Sequence, residues 1–137
     1  MKEEPIIIRK SALAVIKDRK ILMTREEKNE FAFYMLGGTI EPGEAEVDCL
    51  LREVVEEVGV KVDPDSLKFL AEFENEAHGK VNTRVNIKLY SGELIGSPVP
   101  SSEVVEIAYF DSSIDQKHLT PISEEIFIWL KDNDYID

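Results

Sequence analysis

The sequence is poor in the residues that several kinds of site and cellular location require. Cys49 is the one cysteine, so an internal disulfide is excluded. With no histidine or other base near it in the sequence, Cys49 is interpreted as a packed or inert thiol. No stretch approaches the roughly 18 consecutive apolar residues of a transmembrane helix, and the N-terminal MKEEPIIIRK lacks the long apolar segment of a signal peptide. We therefore expect a cytoplasmic protein with no membrane partner.

Basic residues are also scarce, with 16 Lys and Arg against 28 Asp and Glu and a net charge of −12. Long nucleic acids and anionic membranes are bound by clustered Lys and Arg, so the net charge argues against both as partners. A small phosphorylated ligand stays compatible, because its phosphates can arrive already complexed to Mg²⁺. The 137 residues, 43% of them apolar, predict a single domain over residues 1–137 without repeats or an internal linker.

The pattern of apolar residues predicts strands before and after one helix in the middle of the sequence. The predicted strands cover residues 6–8, 12–16, 21–23, 31–36, 67–74, 81–90 and 104–110. Residues 76–80 are predicted to form a hairpin turn with His78 exposed, and residues 92–102, rich in Gly, Pro and Ser, to form a loop. A closing helix is predicted over residues 122–130, with Ile122, Ile126, Trp129 and Leu130 facing inward.

The most informative segment is residues 38–60, GTIEPGEAEVDCLLREVVEEVGV, in which residues 45–58 fit a helix. The apolar positions that would form one buried stripe are Val47, Leu50, Leu51, Val54, Val55 and Val58. Glu53 and Glu57 then share the opposite side, and Glu56 lies within one turn of Glu53. This pattern brings three carboxylates together on one helix.

Like charges at this spacing repel each other, so something positive is expected between the three glutamates. Arg52, which can lean toward Asp48 or Glu56, is the only basic residue of the segment and cannot neutralise them alone. Oxygen-rich clusters of this kind suit Mg²⁺ or Mn²⁺, which take a few carboxylates together with water and substrate phosphates. An ordinary acidic surface helix is the alternative for each residue taken singly, and the combined spacing argues against it.

Glycines at both ends of the segment fit the same interpretation. Gly59 is predicted to end the helix in the left-handed conformation, with Val60 folding back onto Val55. Gly37 and Gly38 allow the backbone to approach an ion or a phosphate closely. Gly38, Glu44 and the run Arg52-Glu53-Val54-x-Glu56-Glu57-x-Gly59-Val60 match every fixed position of the Nudix box, and the chain therefore resembles the Nudix family.

The resemblance implies an α/β fold, an α/β/α sandwich with a mixed β-sheet, in which the box forms a loop-helix-loop. It implies hydrolysis of a phosphoanhydride bond in a nucleoside di- or triphosphate or a nucleoside diphosphate-linked compound, by water that Mg²⁺ or Mn²⁺ activates for attack at phosphorus. Glu53, Glu56 and Glu57 would face the metal, with the Gly37 carbonyl as a further candidate ligand. Arg52 would orient Glu53 or Glu56, and Glu44 would lie behind the ligands.

Residues outside the box extend the predicted site. Glu103 enters the last strand where many Nudix hydrolases carry a further carboxylate, and it or Glu53 is the candidate general base. The alternatives for Glu103 are a solvated loop end or replacement in this role by Glu106.

Two further residues and one glycine are candidates for substrate binding. Arg25 would pair with a phosphate, or else form a salt bridge with Glu26 or Glu27. Tyr34, next to Phe33, would stack on a base, or else both would pack in the core. Gly38 would let its backbone contact the substrate.

Within the family, the compact chain resembles the MutT-type nucleoside triphosphate group. Two positions depart from it: Ser123 stands near the place of an asparagine in the members that sanitise oxidised guanine nucleotides, and Leu36 replaces a frequent proline. A Nudix fold used as a ligand-sensing or protein-binding module without turnover is the alternative function. The oligomeric state, monomer or homodimer through an edge strand at residues 6–9, stays open.

Overall fold

The computed structural model of the chain describes residues 3–77 and 79–137. The strands are β1 Ile6–Ala14, β2 Ile16–Lys17, β3 Lys20–Glu26, β4 Tyr34–Thr39, β5 Lys61–Val62, β6 Lys68–Glu76, β7 Thr83–Ser91, β8 Leu94–Ile95 and β9 Val104–Phe110. The α-helices are α1 Glu46–Val58 and α2 Pro121–Asp132, and single 3₁₀ turns lie at Pro64–Ser66 and Gln116–His118. The two predicted strands at residues 6–8 and 12–16 are mainly one strand, β1. Strands β5 and β8 were not predicted, because two residues carry no periodic pattern.

Strand β1 lies in the middle of a mixed seven-stranded sheet with the order β2-β3-β4-β1-β7-β6, in which β9 pairs with β3. β1 is antiparallel to β4 and parallel to β7. The predicted hairpin is confirmed, since β6 and β7 pair antiparallel. The predicted exposure of His78 lies outside the described residues.

Each face of the sheet is covered by one helix. Ala12 of β1 belongs to a core cluster with Ile126 of α2. Leu13, the next residue, belongs to a second cluster with Leu50 and Val54 of α1. Because successive side chains of a strand point to opposite faces, the two helices lie on opposite sides of the sheet. The predicted α/β/α sandwich with a mixed sheet is confirmed.

The buried face of α1 differs in part from the predicted stripe. Val47 and Val55 are 37% and 42% exposed, so their predicted burial is wrong, whereas the Cys49 side chain is fully buried. The Cys49 thiol lies 3.5 Å from the carbonyl oxygen of Gly38. Because a glycine stands at that point of β4, the helix approaches the sheet through Cys49, and the flanking valines remain at the surface.

The end of α1 agrees with the sequence prediction, whereas α2 is longer than the predicted 122–130 and begins at a cap that was not predicted. Gly59 has φ of +71° and donates its backbone N–H to the Val55 carbonyl, as expected of a left-handed C-terminal cap. Thr120 caps α2 by accepting the backbone N–H of Ser123. The predicted inward residues Ile122, Ile126 and Leu130 are buried, while Trp129 is only partly buried. In the described part of the chain, neither helix is both long and apolar enough to cross a membrane.

Candidate active site

A cavity of about 760 Å³ lies among β1, β4, the β6–β7 hairpin, the loop before β9, and one side of α1 and α2. Its charged lining residues are Glu26, Glu41, Glu53, Glu56, Glu57, Glu76, Glu103, Lys10, Lys28 and Lys80. Its other lining residues include Thr24, Tyr34, Thr39, Ser123 and the apolar Ile8, Ala12, Met35, Val85, Ile87 and Ile122. We call this the acidic cavity, because its carboxylates outnumber its ammonium groups. Such a lining attracts cations and repels an uncomplexed phosphate.

Among the carboxyl groups that line the cavity, Glu57 has the pKa that departs most from its ordinary value. Its Oε1 accepts a 2.8 Å hydrogen bond from the backbone N–H of Gly37. Burial nevertheless raises the pKa of Glu57 to about 8, and the nearby charge of Glu53 adds to this effect. One hydrogen bond therefore does not compensate the buried negative charge, and a cation in the cavity would.

Arg52 joins three of the box glutamates. Its guanidinium forms a two-pronged pair with Glu44, with N–O distances of 2.9 and 3.0 Å. It also lies 2.9 Å from Glu53 and 3.5 Å from Glu56. The hydrogen bonds from Arg52, followed by that from the Glu41 backbone, lower the pKa of Glu44 to about 2. Within the described residues Arg52 has no pair with Asp48, so of the two alternatives the structure shows the one with Glu56.

Glu53 and the two glycines of β4 fit closely together. A Cβ on Gly38 would lie 2.4 Å from the carboxyl carbon of Glu53. A Cβ on Gly37, whose φ is +137°, would lie 2.1 Å from the backbone oxygen of Ser11. Gly37 is thus required by the pairing of β4 with β1, and Gly38 by the position of Glu53. Burial raises the pKa of Glu53, against the effect of Arg52.

The predicted metal ligands line one cavity without forming a ready-made ion site. Across residues 3–77 and 79–137, no three His, Cys, Asp or Glu side chains are grouped closely enough to hold an ion as they stand. In this structure Arg52 donates to Glu53 and Glu56, and the backbone N–H of Gly37 donates to Glu57. The donor set still fits a hard divalent cation, because all three are carboxylates on one side of α1 and the partly buried Glu57 lacks a cationic hydrogen-bond partner among the described residues.

Arg25 lies apart from the predicted metal ligands. Its Nε forms a 2.8 Å salt bridge with Glu106, and one of its terminal nitrogens donates to the Asn29 carbonyl at 2.7 Å. The predicted salt-bridge partners Glu26 and Glu27 are therefore wrong, and Arg25 is not among the cavity-lining residues. With Glu106 engaged by Arg25, Glu103 is the carboxylate of this region that lines the acidic cavity.

The aromatic pair before the glycines is divided between core and cavity. Phe33 is 4% exposed and packs edge-on against Phe110, with 5.0 Å between ring centroids. Tyr34 lines the acidic cavity, as its predicted role in substrate binding requires. Gly38 lines the cavity as well, whereas Arg52 and Glu44 are not among its lining residues.

One cavity residue, Lys10, was not predicted from the sequence. It lies on β1 between Ile8 and Ala12, and all three line the acidic cavity. Alternation along a single strand over residues 6–14 would have placed these three residues on one face. The prediction of two separate strands interrupted that pattern at residue 10 and hid the lysine.

Solved structures with the same fold extend over nearly all of this chain. The MutT protein from Methanosarcina mazei Go1 is 17% identical, with a TM-score of 0.77 over 97% of this chain and 99% of that one. The E. coli ORF135 protein is 20% identical, with a TM-score of 0.72 over 97% and 96%. A UDP-X diphosphatase is 18% identical, with a TM-score of 0.72 over 98% of this chain and 66% of that one. No curated protein sequence matches the chain.

The sequence itself carries the family relationship. The family model for the NUDIX domain matches residues 8–130, from the middle of β1 to near the end of α2. That range contains the complete box as well as the strands and the helix that enclose the acidic cavity. With its glutamates, its arginine and its paired glycines in the arrangement described above, the chain belongs to the Nudix hydrolase family.

Proposed function

We propose that this Nudix hydrolase cleaves a phosphoanhydride bond in a nucleoside di- or triphosphate, or in a nucleoside diphosphate-linked compound, and depends on Mg²⁺ or Mn²⁺. One observation carries the proposal: Glu53, Glu56 and Glu57 line the same acidic cavity, and burial disfavours the charge of Glu57. A site built this way gains stability from a cation and from the phosphates that accompany it.

The residues divide into groups that hold charge and groups that hold position. Glu53, Glu56 and Glu57 are the proposed metal ligands, with the Gly37 carbonyl as a further candidate. A bound divalent ion would supply the acidification of water and the withdrawal of charge from phosphorus. Arg52 fixes the Glu53 carboxylate through its 2.9 Å contact, and Glu44 in turn fixes Arg52.

A carboxylate at the cavity wall is needed to accept the proton of the attacking water. Glu53 and Glu103 are the candidates, because both line the acidic cavity. Glu106 is a weaker candidate, since it does not line the cavity and its carboxylate pairs with Arg25. Replacing each glutamate by glutamine separates metal binding from proton acceptance. Loss of a residue that acts only as the base lowers turnover but leaves the affinity for the ion unchanged.

The base and the sugar of the substrate would contact the less charged part of the cavity. Tyr34 offers a ring and a hydroxyl there, and the backbone of Gly38, which also lines the cavity, is the other proposed substrate contact. Arg25 binds a phosphate only if its pair with Glu106 opens. A MutT-like nucleoside triphosphate pyrophosphatase is the proposed subgroup, although structural neighbours include both MutT proteins and a UDP-X diphosphatase, so the fold alone does not select the substrate.

The test is a panel of nucleoside triphosphates, ADP-ribose, dinucleoside polyphosphates and nucleotide sugars, each assayed with Mg²⁺, with Mn²⁺ and with a chelator. Release of phosphate, pyrophosphate or a nucleoside monophosphate only when the ion is present is the expected result. Turnover in the chelator would refute the proposed metal dependence. Tight binding of one compound without turnover of any would favour a ligand-sensing module instead. The cytoplasmic location and the choice between monomer and homodimer stay predictions.

A further inference from the structure

Lys10 is a cation on the inner wall of an otherwise acidic cavity. It stands on β1, the central strand, opposite Thr39 of β4 and Ile87 of β7. Its neighbours on the same face of the strand are Ile8 and Ala12. Lys10 is thus flanked by strands on both sides. It lines the same cavity as the box glutamates, and the charges of Glu57 and Glu53 act on its ammonium.

Within residues 3–77 and 79–137, the Lys10 ammonium has no ion-pair partner within 4.0 Å and donates no hydrogen bond. The other two lysines of the cavity differ from it. Lys28 pairs with Glu26 at 3.2 Å, and Lys80 lies exposed beyond the end of β6. Lys10 is therefore a cavity lysine that is both partly buried and uncommitted.

The surroundings of Lys10 make an unpaired charge costly. Burial lowers the pKa of Lys10, and the charge of Glu57 at longer range offsets this only in part. Glu26 and Glu53 act in the same direction as Glu57, while Lys80 opposes them. A partly buried ammonium in this position gains from an anion that enters the cavity and accepts its hydrogen bonds.

We propose that Lys10 is a substrate-binding residue whose ammonium donates to a phosphate oxygen of the ligand in the acidic cavity. The inference rests on the proposed function in that it takes a diphosphate as the ligand. It assigns to β1 a contact that lies outside the Nudix box. A phosphate group fits better than a base or a sugar, because only the phosphate brings the negative charge that the lysine lacks.

The opposing explanation is that Lys10 only extends along the apolar surface of Ile8 and Ile87 and holds its charge in water. The two explanations differ in what the lysine recognises. A phosphate-binding lysine discriminates ligands by charge, and replacing it weakens phosphate-bearing ligands alone. A lysine that serves packing affects stability and leaves binding unchanged.

The experiment measures the dissociation constant of inorganic pyrophosphate by calorimetry, with Mg²⁺ present, for the wild type and for Lys10→Gln, Lys10→Met and Lys10→Arg. Lys61→Gln is the matched control, since Lys61 is exposed on β5 and does not line the cavity. Adenosine, guanosine, cytidine and uridine are titrated as ligands without phosphate. Melting temperatures show which variants are folded. If Lys10→Gln is not folded, Lys10→Met, which keeps the apolar stem, takes its place in the comparison.

We expect Lys10→Gln and Lys10→Met to weaken pyrophosphate binding by at least about tenfold, the scale of one charge-assisted hydrogen bond. Lys10→Arg should weaken it much less, Lys61→Gln should match the wild type, and nucleoside binding should not change. The proposal is overturned if Lys10→Gln or Lys10→Met binds pyrophosphate like the wild type, or if the wild type does not bind pyrophosphate. It is also overturned if these substitutions weaken nucleoside binding as much as pyrophosphate binding.

The outcome can be separated from that of the hydrolysis assay. If the substrate panel shows no turnover but the pyrophosphate difference at Lys10 persists, the proposed reaction is wrong and the binding role stands. If the panel shows metal-dependent turnover while the Lys10 variants bind pyrophosphate normally, the reaction stands and the binding role is wrong.

Discussion

The backbone N–H of Gly37 donates a 2.8 Å hydrogen bond to the Glu57 carboxylate, which links strand β4 to the last turn of α1. Glutamine at position 57 keeps the volume of the side chain and an oxygen that can accept this bond, while it removes the charge. We therefore expect Glu57→Gln, and likewise Glu53→Gln and Glu56→Gln, to fold normally and to lose metal-dependent turnover by at least about 100-fold. Steady-state kinetics with a substrate from the panel, together with circular dichroism, measures both effects.

Asp48→Asn is the control on the same helix, because Asp48 is exposed in the first turn of α1 and does not line the acidic cavity. It should keep turnover close to the wild-type value. Full activity of Glu57→Gln with unchanged Mg²⁺ dependence, together with an inactive Asp48→Asn, would show that the site was assigned to the wrong side of α1.

The raised pKa of Glu57 predicts how the stability of the metal-free protein depends on pH. The ordinary glutamate pKa is 4.5, and in the folded chain that of Glu57 is about 8, so between these values the folded state holds the proton more tightly than the unfolded state. The stabilisation of the folded state by the protonated Glu57 carboxyl is complete below about pH 4.5, declines as the pH rises, and is lost above about pH 8. In the presence of a chelator, the melting temperature of Glu57→Gln should rise relative to that of the wild type by several degrees between pH 5 and pH 8.

That difference isolates Glu57, because the other carboxyl groups titrate in both proteins. A constant gap in melting temperature between the wild type and Glu57→Gln over this pH range would mean that the carboxyl is ionised throughout. Adding Mg²⁺ should remove the decline, since an ion bound to the carboxylate favours its charged form.

The two glycines of β4 should fail in different ways when replaced by alanine. Gly37→Ala places a Cβ 2.1 Å from the Ser11 backbone oxygen at a φ of +137°, and we expect it to destabilise the fold by at least about 2 kcal/mol. Gly38→Ala instead meets the Glu53 side chain at 2.4 Å, which can move. We expect it to fold but to lose turnover by about 10- to 100-fold, because Glu53 is displaced.

Gly43→Ala is the control for the glycine pair, since its φ of +79° is strained for alanine but nothing lies within 4 Å of the added Cβ. It should cost about 1 kcal/mol and leave turnover unchanged. Denaturant titration and kinetics on the three variants test the assignment. A Gly37→Ala variant as stable as Gly43→Ala would contradict the close pairing of β4 with β1.

Glu46, at the start of α1, should matter for stability and not for turnover. Its carboxylate accepts the Tyr90 hydroxyl at 2.8 Å and pairs with Lys88, which ties the helix to β7. The Lys88 contact, ahead of the Tyr90 hydrogen bond, lowers the pKa of Glu46. We expect Glu46→Gln to cost about 1 kcal/mol of unfolding free energy, since the pair is partly solvated. Denaturant titration measures that loss, and turnover equal to that of the wild type is the accompanying expectation.

The sequence predicts the box helix well because its signals are local. The end of α1 at Gly59 depends on one residue that tolerates a positive φ, and the spacing of Glu53, Glu56 and Glu57 depends only on the helical repeat. The apolar stripe was less accurate, because burial of Cys49 instead of Val47 depends on how closely α1 approaches Gly38. That distance is set by tertiary packing.

Pairings between distant segments were the hardest to predict. The salt bridge of Arg25 with Glu106 depends on β3 pairing with β9, and no local pattern announces that register. The same is true of Lys10, which enters the cavity only because β1 is one continuous strand between β4 and β7. The glutamates on α1 follow from the helical repeat alone, whereas the position of Lys10 depends on strand pairings that the sequence does not reveal.

The parallel pairing of β1 with β7 also bears on the order in which the molecule folds. A parallel pair cannot be closed by a tight turn, and here the whole of β2 to β6, with α1, lies between the two strands along the chain. Contacts of such long sequence separation close slowly, whereas α1 is local and can form early. The helix that carries the box glutamates can therefore exist before the wall that carries Lys10 and Ile87 is in place. Nascent or partly folded chains would display the carboxylates without the pocket, so the proposed ability to bind a nucleotide would be among the last properties that the folding chain acquires.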